Sequence, residues 1–241
     1  MIMRERCYCF ADIPVSITYR HAYLEEQCKD YVSAQDPLFC MEITGEDLAL
    51  ERARAEHPGA AEGYLESLAC YRKFCSRAVF ERVLLFHCSA VAVDGVAYLF
   101  AAPSGTGKST HTALWRRVLG KRAVMVNDDK PLIRLSPDGI LVYGTPWDGK
   151  HRLSNRMSAK VGGICFLSRS TENHIERLSP NEALPHLLGQ TFRPDSADGT
   201  AQMLQLVIEL AGRVPMWSMG CNISEEAAWL AYHSMSKEII S

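Results

Sequence analysis

The chain has 241 residues, 47% of them hydrophobic, and its 26 basic and 28 acidic residues leave a net charge of −2. This length and composition support one substantial core with at most a small additional lobe. The near-neutral charge excludes a strong field for nucleic acid or an anionic membrane surface, and no apolar stretch approaches the ~20 residues that span a bilayer.

Cysteine usage and the amino terminus indicate a reducing compartment. The nine cysteines are irregularly spaced, and no Cys-x-x-Cys pair occurs. Such spacing is typical of reduced, mostly buried thiols and not of zinc ligands or a disulfide framework. The charged start, Met1 to Arg6, is followed by an apolar run that is too short and interrupted for a signal peptide. We therefore expect a cytoplasmic protein.

The first third of the chain predicts a small α+β lobe. Alternating apolar residues over 13–19 predict a half-buried strand, and residues 21–45 are interpreted as short strands or as one strand with loops. Helices are predicted over 46–57, ended by Pro58-Gly59, and over 62–82. This segment carries no recognisable chemistry, so we predict a lobe of residues 1–82 packed on a larger unit of residues 83–241.

The rest of the chain predicts a nucleotide-binding α/β core. Residues 83–93 form a predicted strand, and the two-residue turn Asp94-Gly95 leads into a second strand over 96–101. A helix over 112–120, a strand over 122–126 and a hairpin over 131–143 follow. Residues 144–157 form a long polar loop, which inside a compact domain is usually functional or mobile. The remaining predicted elements are strands over 161–167, 175–178 and 214–219 and helices over 179–189, 200–212 and 224–235.

A phosphate-binding loop lies between the strand over 96–101 and the helix after it. Its residues are Pro103, Ser104, Gly105, Thr106, Gly107, Lys108, Ser109 and Thr110. Glycines in such a turn let backbone N–H groups converge on an anion, and the helix N-terminus adds partial positive charge. The pattern predicts Lys108 on the terminal phosphates of a nucleotide and the Ser109 hydroxyl on Mg²⁺. The strict motif begins with Gly where this chain has Ala102, a departure that leaves both turn glycines in place.

Two carboxylates and one histidine flank this loop in the sequence. Asp128 and Asp129 end a predicted buried strand, a place typical of a metal-positioning carboxylate beside a phosphate loop. Because neighbouring carboxylates in an apolar site require a compensating cation or proton, we expect one to order Mg²⁺ and the other to act as base or ligand. From spacing alone, His87 on the strand over 83–93 is more typical of a core residue than of a functional one.

The long polar loop and the strand after it carry four basic residues, Lys150, Arg152, Arg156 and Lys160. Cations in such a group clamp a triphosphate or stabilise a phosphoryl group during transfer. The alternative is an ordinary solvated loop face, and the sequence does not decide between the two.

The order of these motifs resembles two related families. Phe86-His87-Cys88-Ser89-Ala90, then the loop from Ala102 to Thr110, then Asp128-Asp129 is similar to the core of ATP-dependent phosphoenolpyruvate carboxykinase. That family carries a His-Cys-Ser-Ala strand, a Ser-Gly-Thr-Gly-Lys-Thr-Thr loop and an Asp-Asp pair in this order. The chain also resembles HPr kinase/phosphorylase, which shares the histidine, the loop and the Asp pair at similar spacing. The shared order covers about 45 residues, and beyond it Asn155-Arg156 looks like the arginine-bearing loop of HPr kinase.

The resemblance implies an α/β fold with a mixed sheet, built as a phosphoenolpyruvate carboxykinase-like P-loop core with a small N-terminal α+β lobe. It implies ATP and Mg²⁺ as ligands, and catalytic roles for His87, Lys108, Asp128, Asp129 and Arg156. In carboxykinases the residues matching His87 and Asp129 bind a second metal, whereas in HPr kinase they flank the acceptor hydroxyl and act in acid–base catalysis. The metal ligands implied for this chain are Ser109, Asp128 and Asp129, with room for a second divalent ion near His87 and Asp129.

Two departures narrow what the resemblance implies. A carboxykinase brings a large substrate domain that this sequence lacks, so decarboxylation is not expected. HPr kinase has a longer N-terminal domain and a C-terminal signature that do not occur in this sequence, so HPr itself does not follow as the substrate. What is implied is a small HPr kinase-related branch, whose members phosphorylate a hydroxyl on a peptide, a protein or a small molecule.

The sequence therefore predicts an ATP-dependent kinase that transfers the γ-phosphoryl group to a hydroxyl of a peptide, a protein serine or a small molecule. Two alternatives stay open: an ATP-binding sensor that alters partner affinity through residues 144–160 without transfer, and a small-molecule phosphotransferase of metabolism. The acceptor, the oligomeric state and the preference among ATP, GTP and pyrophosphate are not decided by the sequence. The same holds for the division of roles between Asp128 and Asp129.

Overall fold

Two β-sheets organise the described part of the chain, which in this computed structural model comprises residues 3–55, 59–149 and 151–236. The first sheet has three strands and the second has nine. Helices pack against both sheets. The chain is therefore a mixed α/β protein, which agrees with the fold class predicted from the sequence.

The first sheet is an antiparallel hairpin with a third strand beside it. Its strands are β1, Arg4–Phe10; β2, Ile13–Tyr19; and β3, Phe39–Glu42, in the order β1-β2-β3. Its helices are α1, Ala22–Gln27; α2, Gly45–Arg54; and α3, Glu62–Ala78. The alternating apolar side chains of β2 are all buried, which confirms the strand predicted over 13–19.

The second sheet contains the strand that leads into the phosphate loop. Its strands are β4, Val83–Leu85; β5, Cys88–Val93; β6, Val96–Ala101; β7, Ala123–Asn127; β8, Leu132–Ser136; β9, Gly139–Tyr143; β10, Ser158–Arg169; β11, His174–Leu178; and β12, Met216–Cys221. The strand order is β4-β8-β9-β10-β6-β5-β7, and β12 pairs with both β10 and β11. β6, β10 and β12 run parallel, so their carboxyl ends lie at one edge of the sheet.

Helices cover both faces of this sheet. One face carries α4, Lys108–Leu119, and α7, Glu225–Ser236, and the other carries α5, Pro180–Gln190, and α6, Ala197–Arg213. In β6, Leu99 packs with the α5 and α6 side while Phe100 meets Trp115 of α4, with ring centroids 5.0 Å apart. These three layers hold the end of β6 and the start of α4 in fixed relation, which positions the phosphate loop. None of the helices that the structure describes has the length and apolar composition needed to cross a membrane.

The core of the first sheet includes side chains from beyond residue 82. Phe10 of β1 packs against Phe74 of α3 and against Trp147, with ring centroids 5.3 and 5.2 Å apart. Trp147 in turn stacks on Tyr71 of α3 at 4.0 Å. Because this core is continuous across residue 82, the division into a lobe of residues 1–82 and a unit of residues 83–241 stays a prediction.

The strand predicted over 83–93 is in fact two strands. β4 pairs with β8, whereas β5 pairs with β6 and β7, and the chain changes partners between them. The break falls at Phe86-His87, which places the His87 side chain at the end of the sheet and outside its strands. After β5, the turn predicted at Asp94-Gly95 is confirmed by the pairing of Val93 with Val96.

Helix boundaries differ from the prediction in several places, and α4 begins at Lys108, four residues before the predicted start. α1 was not predicted, because six residues are too few to show a helical period. α3 ends at Ala78, where a 3₁₀ turn over Val79–Glu81 takes over from the helix predicted to reach residue 82. α2 ends at Arg54, and part of its predicted extension to residue 57 lies outside the described residues. Residues 144–149 and 151–157 form no helix or strand, as predicted.

Candidate functional site

The phosphate loop predicted from the sequence joins the end of β6 to the start of α4. Two of its residues have positive φ, Gly105 at 77° and Gly107 at 123°, a region that residues with a Cβ rarely adopt. The N–H groups of these two glycines have no hydrogen-bond partner among the described residues. The turn therefore presents free backbone donors to an incoming anion.

The amino terminus of α4 is open to negative charge. Its N-cap is Gly107, which has no side chain to accept from the first turn, and no acidic residue occurs in that turn. By contrast, α5 begins with a capping box in which Ser179 and Glu182 satisfy each other's backbone N–H groups. The uncapped N–H groups of α4 and its helix dipole together favour an anion at this end.

Lys108, the first residue of α4, lies folded over the loop. Its Nζ donates to Ala102 O at 2.8 Å, and the residue is only 8% exposed. Burial lowers the pKa of the Lys108 ammonium, and the carboxylates of Asp129 and Asp128 offset part of that effect. The Lys108 ammonium therefore donates to Ala102 O of the loop and is stabilised by the negative charges of Asp129 and Asp128.

Asn127, the last residue of β7, fixes the direction of the acidic pair. It is fully buried, and its Oδ1 accepts from the N–H groups of Asp129 at 2.8 Å and Lys130 at 2.7 Å. Its Nδ2 donates to the loop after β9, including Thr145 Oγ1 at 3.1 Å. This turn, closed by the Asn127 side chain, sets where both carboxylates point.

Asp128 is directed into the protein. It is 4% exposed, and its Oδ1 accepts from Ser89 Oγ of β5 at 2.6 Å. Ser89 Oγ lies 3.0 Å from Thr112 Oγ1 of α4, so a chain of buried hydroxyls connects this carboxylate to the helix of the phosphate loop. The other oxygen, Oδ2, lies beside Gly149, where a Cβ would come within 3.3 Å of it.

Asp129 has a cationic or hydrogen-bonding partner on each oxygen. His87 Nε2 lies 3.1 Å from Oδ1, and Lys130 Nζ contacts Oδ2. Burial raises the pKa of the Asp129 carboxyl, but the His87 hydrogen bond and the Lys130 charge outweigh burial and bring the pKa to about 2. Asp129 is therefore ionised at neutral pH, and the fold brings it together with His87.

Gln190, the last residue of α5, is a site residue that the sequence did not predict. Its backbone carbonyl accepts from the His87 N–H at 2.8 Å. With its amide oriented to satisfy its neighbours, it donates to His87 Nδ1 at 3.1 Å and to Ala102 O at 3.2 Å. Because Nδ1 then accepts, Nε2 carries the ring hydrogen and donates it to Asp129. No motif marks this glutamine; the pairing of Phe86 with Thr191 brings it to the site.

The other loop residues predicted for the site lie where the motif places them. Ser109 and Thr110 are on the first turn of α4 next to Lys108. The Ser109 side chain is half-buried, and its hydroxyl makes no hydrogen bond within the described residues. Pro103, Ser104 and Thr106 complete the turn, which the Thr106 N–H closes by donating to Pro103 O at 3.3 Å.

Of the basic residues predicted to assist the phosphates, Arg156 is bound to the segment that follows α1. Arg156 Nη1 donates to Asp30 O at 2.6 Å, and its guanidinium lies over the Tyr31 ring, 5.9 Å from the centroid. Arg152 and Lys160 are exposed, and Lys150 lies outside the described residues. The described contacts of the Arg156 guanidinium are therefore with Asp30 and Tyr31, and none is with a residue of the phosphate loop.

Two cavities border this arrangement. One of about 270 Å³ lies beside His87 and Lys130, and its walls include Leu68, Arg72 and Phe192. The other, of about 570 Å³, begins at the glycine turn and extends to the carboxyl ends of β10 and β12. The site thus has one cavity next to the His87–Asp129 pair and another next to the phosphate loop.

The residues present fit a magnesium-bound nucleotide. Free N–H groups and the Lys108 ammonium suit phosphate oxygens, and the uncommitted Ser109 hydroxyl and the Asp128 carboxylate are oxygen ligands of the kind that Mg²⁺ prefers. Among the described residues, no three or more His, Cys, Asp or Glu side chains are arranged to hold a metal ion by themselves.

No protein-family model and no curated protein matches this sequence. Among solved structures, the chain is similar to the HPr(Ser) kinase/phosphatase from Coxiella burnetii, with 12% sequence identity and a TM-score of 0.38. The match covers 64% of this chain and 98% of that one. At this identity and TM-score the similarity carries no information about activity, which rests on the geometry of the site.

Proposed function

We propose that this protein is an ATP-dependent phosphotransferase that moves the γ-phosphoryl group to a hydroxyl on a peptide, a protein or a small molecule. The observation that carries the proposal is a hydrogen-bonded connection between the phosphate loop and the acidic pair. Ala102 O accepts from both Lys108 and Gln190, and Gln190 also holds His87, the partner of Asp129. Nucleotide binding alone requires no ionised carboxylate with an oriented histidine beside the loop, whereas transfer to a hydroxyl uses both.

The donor side of the reaction uses the loop and α4. The N–H groups of the glycine turn and of the helix N-terminus bind β- and γ-phosphate oxygens, and Lys108 exchanges Ala102 O for the terminal phosphates. Ser109 and Asp128 are the residues that would hold Mg²⁺, which when bound neutralises charge on the phosphates. Because Ser89 already fixes Asp128, that carboxylate needs little rearrangement to act as a ligand.

The acceptor side uses Asp129, which accepts the proton of the attacking hydroxyl. The acceptor oxygen bonds to the γ-phosphorus as the bond to the β–γ bridging oxygen breaks, and ADP departs with that electron pair. A carboxylate with a pKa of about 2 is a weak base, so it takes the proton late, when the attacking oxygen has lost electron density to phosphorus. His87 orients Asp129 and keeps it ionised, which makes His87 a positioning residue in this scheme.

Lys130 occupies the place that a second cation near Asp129 would take. Its Nζ contacts Asp129 Oδ2, while Oδ1 faces His87. One ammonium in direct contact compensates the charge of a carboxylate in a partly buried site. Phosphoryl transfer therefore does not require the second divalent ion that the family resemblance implies near His87 and Asp129.

The cavity beside His87 would receive the part of the acceptor that carries the hydroxyl. It measures about 270 Å³, and its lining includes the apolar side chains of Leu68, Leu85 and Phe192 and the cations Arg72 and Lys130. Such a volume holds one side chain or a small molecule. A peptide or protein segment that presents a single hydroxyl side chain and a small hydroxy metabolite both meet this requirement.

The test is transfer of label from γ-labelled ATP in the presence of Mg²⁺. Purified protein should label at least one member of a panel of hydroxyl-bearing peptides and hydroxy metabolites, and water should serve as a slow acceptor that yields labelled phosphate. Lys108→Met should abolish both reactions, while Lys121→Met, at a surface lysine in the 3₁₀ turn after α4, should leave them intact. Tight ATP binding with neither transfer nor hydrolysis would instead identify a nucleotide-binding sensor.

A further inference from the structure

The cavity of about 270 Å³ joins the surroundings of Asp129 to the helix α3. His87 and Lys130, which both contact the Asp129 carboxylate, are among its lining residues. The segment that folds with the first sheet supplies further lining residues from α3, namely Leu68, Tyr71 and Arg72. An acceptor whose hydroxyl lies at Asp129 therefore extends from there toward α3.

Arg72 brings a positive charge and hydrogen-bond donors to this cavity. Its side chain is 37% exposed, so the guanidinium is accessible to a ligand. The guanidinium lies over the ring of Phe192, another lining residue, 5.6 Å from the ring centroid. An aromatic contact of this kind positions the cation without using its N–H groups, which remain available as donors.

Glu51 of α2 fixes the orientation of the Arg72 guanidinium from one side. Arg72 Nε contacts Glu51 Oε1, and Arg72 Nη2 donates to Glu51 Oε2 at 3.4 Å. Such a side-on pair leaves free the second edge of the guanidinium, which presents one N–H of Nη1 and one of Nη2. Nη1 makes no hydrogen bond within the described residues. Glu51 itself is only 4% exposed and is not among the residues that line the cavity.

The carboxylate of Glu51 does not cancel the whole charge of Arg72, because a second arginine shares it. Arg54 Nη1 lies 3.5 Å from Glu51 Oε1. The other partner of Arg54 is Asp195, which is 78% exposed, so water and salt screen that pair. One buried carboxylate thus serves two guanidinium groups, and part of the charge of Arg72 stays available to a ligand.

We infer that the acceptor carries a carboxylate as well as a hydroxyl, and that the free edge of Arg72 binds this carboxylate while the hydroxyl lies at Asp129. A planar carboxylate matches the two parallel N–H groups of such an edge. The chemistry has two sources, a small hydroxy acid or a peptide in which an acidic residue adjoins the hydroxyl side chain. The inference rests on the proposed function, since it names the substrate class of the same transfer, and the carboxylate takes no part in the bond changes.

Matched probes with and without the carboxylate test this inference. Transfer from γ-labelled ATP is measured with glycerate, with L-serine and with the acetylated, amidated peptide Gly-Ser-Asp. Each is compared with its neutral counterpart: glyceramide, serinamide and the peptide Gly-Ser-Asn. At least one acid should be phosphorylated with a kcat/KM roughly tenfold or more above that of its amide. The pair that shows the difference identifies the source of the carboxylate.

Variants of Arg72 assign the preference to this residue. Arg72→Lys keeps the charge but loses the forked edge, and should raise the KM for the acid roughly tenfold while kcat and the KM for ATP stay unchanged. The paired variant Glu51→Gln/Arg72→Gln removes both charges, so no buried carboxylate loses its partner, and it should abolish the preference for acid over amide. Arg77→Lys, at an exposed arginine of the same helix, is the matched control and should leave all these values unchanged.

Hydrolysis of ATP by water is recorded with every probe and variant, and retained hydrolysis shows that a variant is folded. An acid that binds without accepting the phosphoryl group should still slow hydrolysis, and should lose that effect in the paired variant. Equal kcat/KM for acids and amides, acids that neither take label nor alter hydrolysis, or a preference that survives in the paired variant would overturn the carboxylate site while leaving the transfer reaction intact. Absence of both transfer and hydrolysis in the wild type would instead remove the proposed function, and the carboxylate site with it.

Discussion

His87 and Asp129 come from neighbouring antiparallel strands whose ends coincide, and their side chains meet at 3.1 Å between Nε2 and Oδ1. His87 immediately precedes β5, and Asp129 follows β7, with Ala90 of β5 paired with Asn127 of β7. The break between β4 and β5 frees His87 from the ladder, and the Asn127 side chain turns Asp129 toward it. The pair is therefore a product of sheet topology and of one buried asparagine.

Replacing Asp129 by Asn tests its role as proton acceptor. Asp129→Asn keeps the shape of the side chain and leaves the hydrogen bond from the backbone N–H of residue 129 to Asn127 Oδ1 in place, so ATP affinity should change by less than about threefold. Transfer and slow hydrolysis should fall roughly 10²-fold or more, because the amide cannot accept the proton. Rates from single-turnover experiments with saturating ATP measure this step. Full activity in this variant would assign the proton acceptor to Asp128.

Gln190 should act on the reaction only through His87. Gln190→Leu removes the amide that fixes the imidazole, and we expect the transfer rate to fall roughly tenfold with no change in ATP affinity. Gln205→Leu, on the exposed side of α6, is the matched control and should have no effect. The decisive measurement is a double-mutant cycle with His87→Gln: Gln190→Leu should add no further loss in that background. An additive loss would mean that Gln190 works independently of His87.

The buried charge of Lys108 should lower the stability of the nucleotide-free protein and at the same time strengthen phosphate binding. Burial lowers the pKa of its ammonium, which means that the folded protein holds this charge at a cost. Lys108→Met should therefore raise the midpoint of thermal unfolding of the nucleotide-free protein, while tripolyphosphate affinity falls at least about tenfold. Lys121→Met should change neither quantity. A destabilised variant with unchanged polyphosphate binding would contradict the assignment of Lys108 to the phosphates.

The sequence predicts well those parts of the site that are contiguous motifs. The glycine turn and the Asp128-Asp129 step are contiguous motifs, and in the structure they follow the ends of β6 and β7. The helix after the glycine turn was also predicted, although α4 begins at Lys108 and not at residue 112. The partners that complete the site come from distant segments. Gln190 closes a helix with no motif of its own, and Ser89 reaches Asp128 across two paired strands. No spacing in the sequence encodes either contact, since both follow from sheet order.

Tertiary pairing also explains why the strand predicted over 83–93 is two strands in the structure. An apolar run of eleven residues over 83–93 predicts one strand, because hydrophobicity alone does not reveal a change of pairing partner. The switch from β8 to β6 and β7 divides it and creates the free end on which His87 sits. His87 therefore differs from a core histidine in a way that only the tertiary structure shows.

Acidification should destabilise the protein through His111. Burial lowers the pKa of this imidazole to about 4, below the ~6.5 of an exposed histidine. Between these values the unfolded chain binds a proton that the folded chain does not, so the free energy of unfolding should decrease as the pH falls from about 6.5 to about 4, by up to about 3 kcal/mol. Denaturant titrations across this range measure the slope. His111→Gln should flatten it, whereas His233→Gln, on the exposed side of α7, should leave it unchanged.

Substitution of Arg156 tests whether this arginine reaches the γ-phosphate in a conformation that differs from the one in the structure. In the structure its guanidinium donates to Asp30 O and lies over the Tyr31 ring, and it makes no described contact with the phosphate loop. With this arrangement maintained during turnover, Arg156→Ala should change the transfer rate by less than about twofold and the free energy of unfolding by less than about 1 kcal/mol, since the side chain is exposed. Arg152→Ala, in the same loop, is the control. A rate loss of roughly 10³-fold, with ATP affinity preserved, would show that the loop carries Arg156 to the γ-phosphate in the reacting complex, as an arginine that stabilises transferring phosphoryl groups requires.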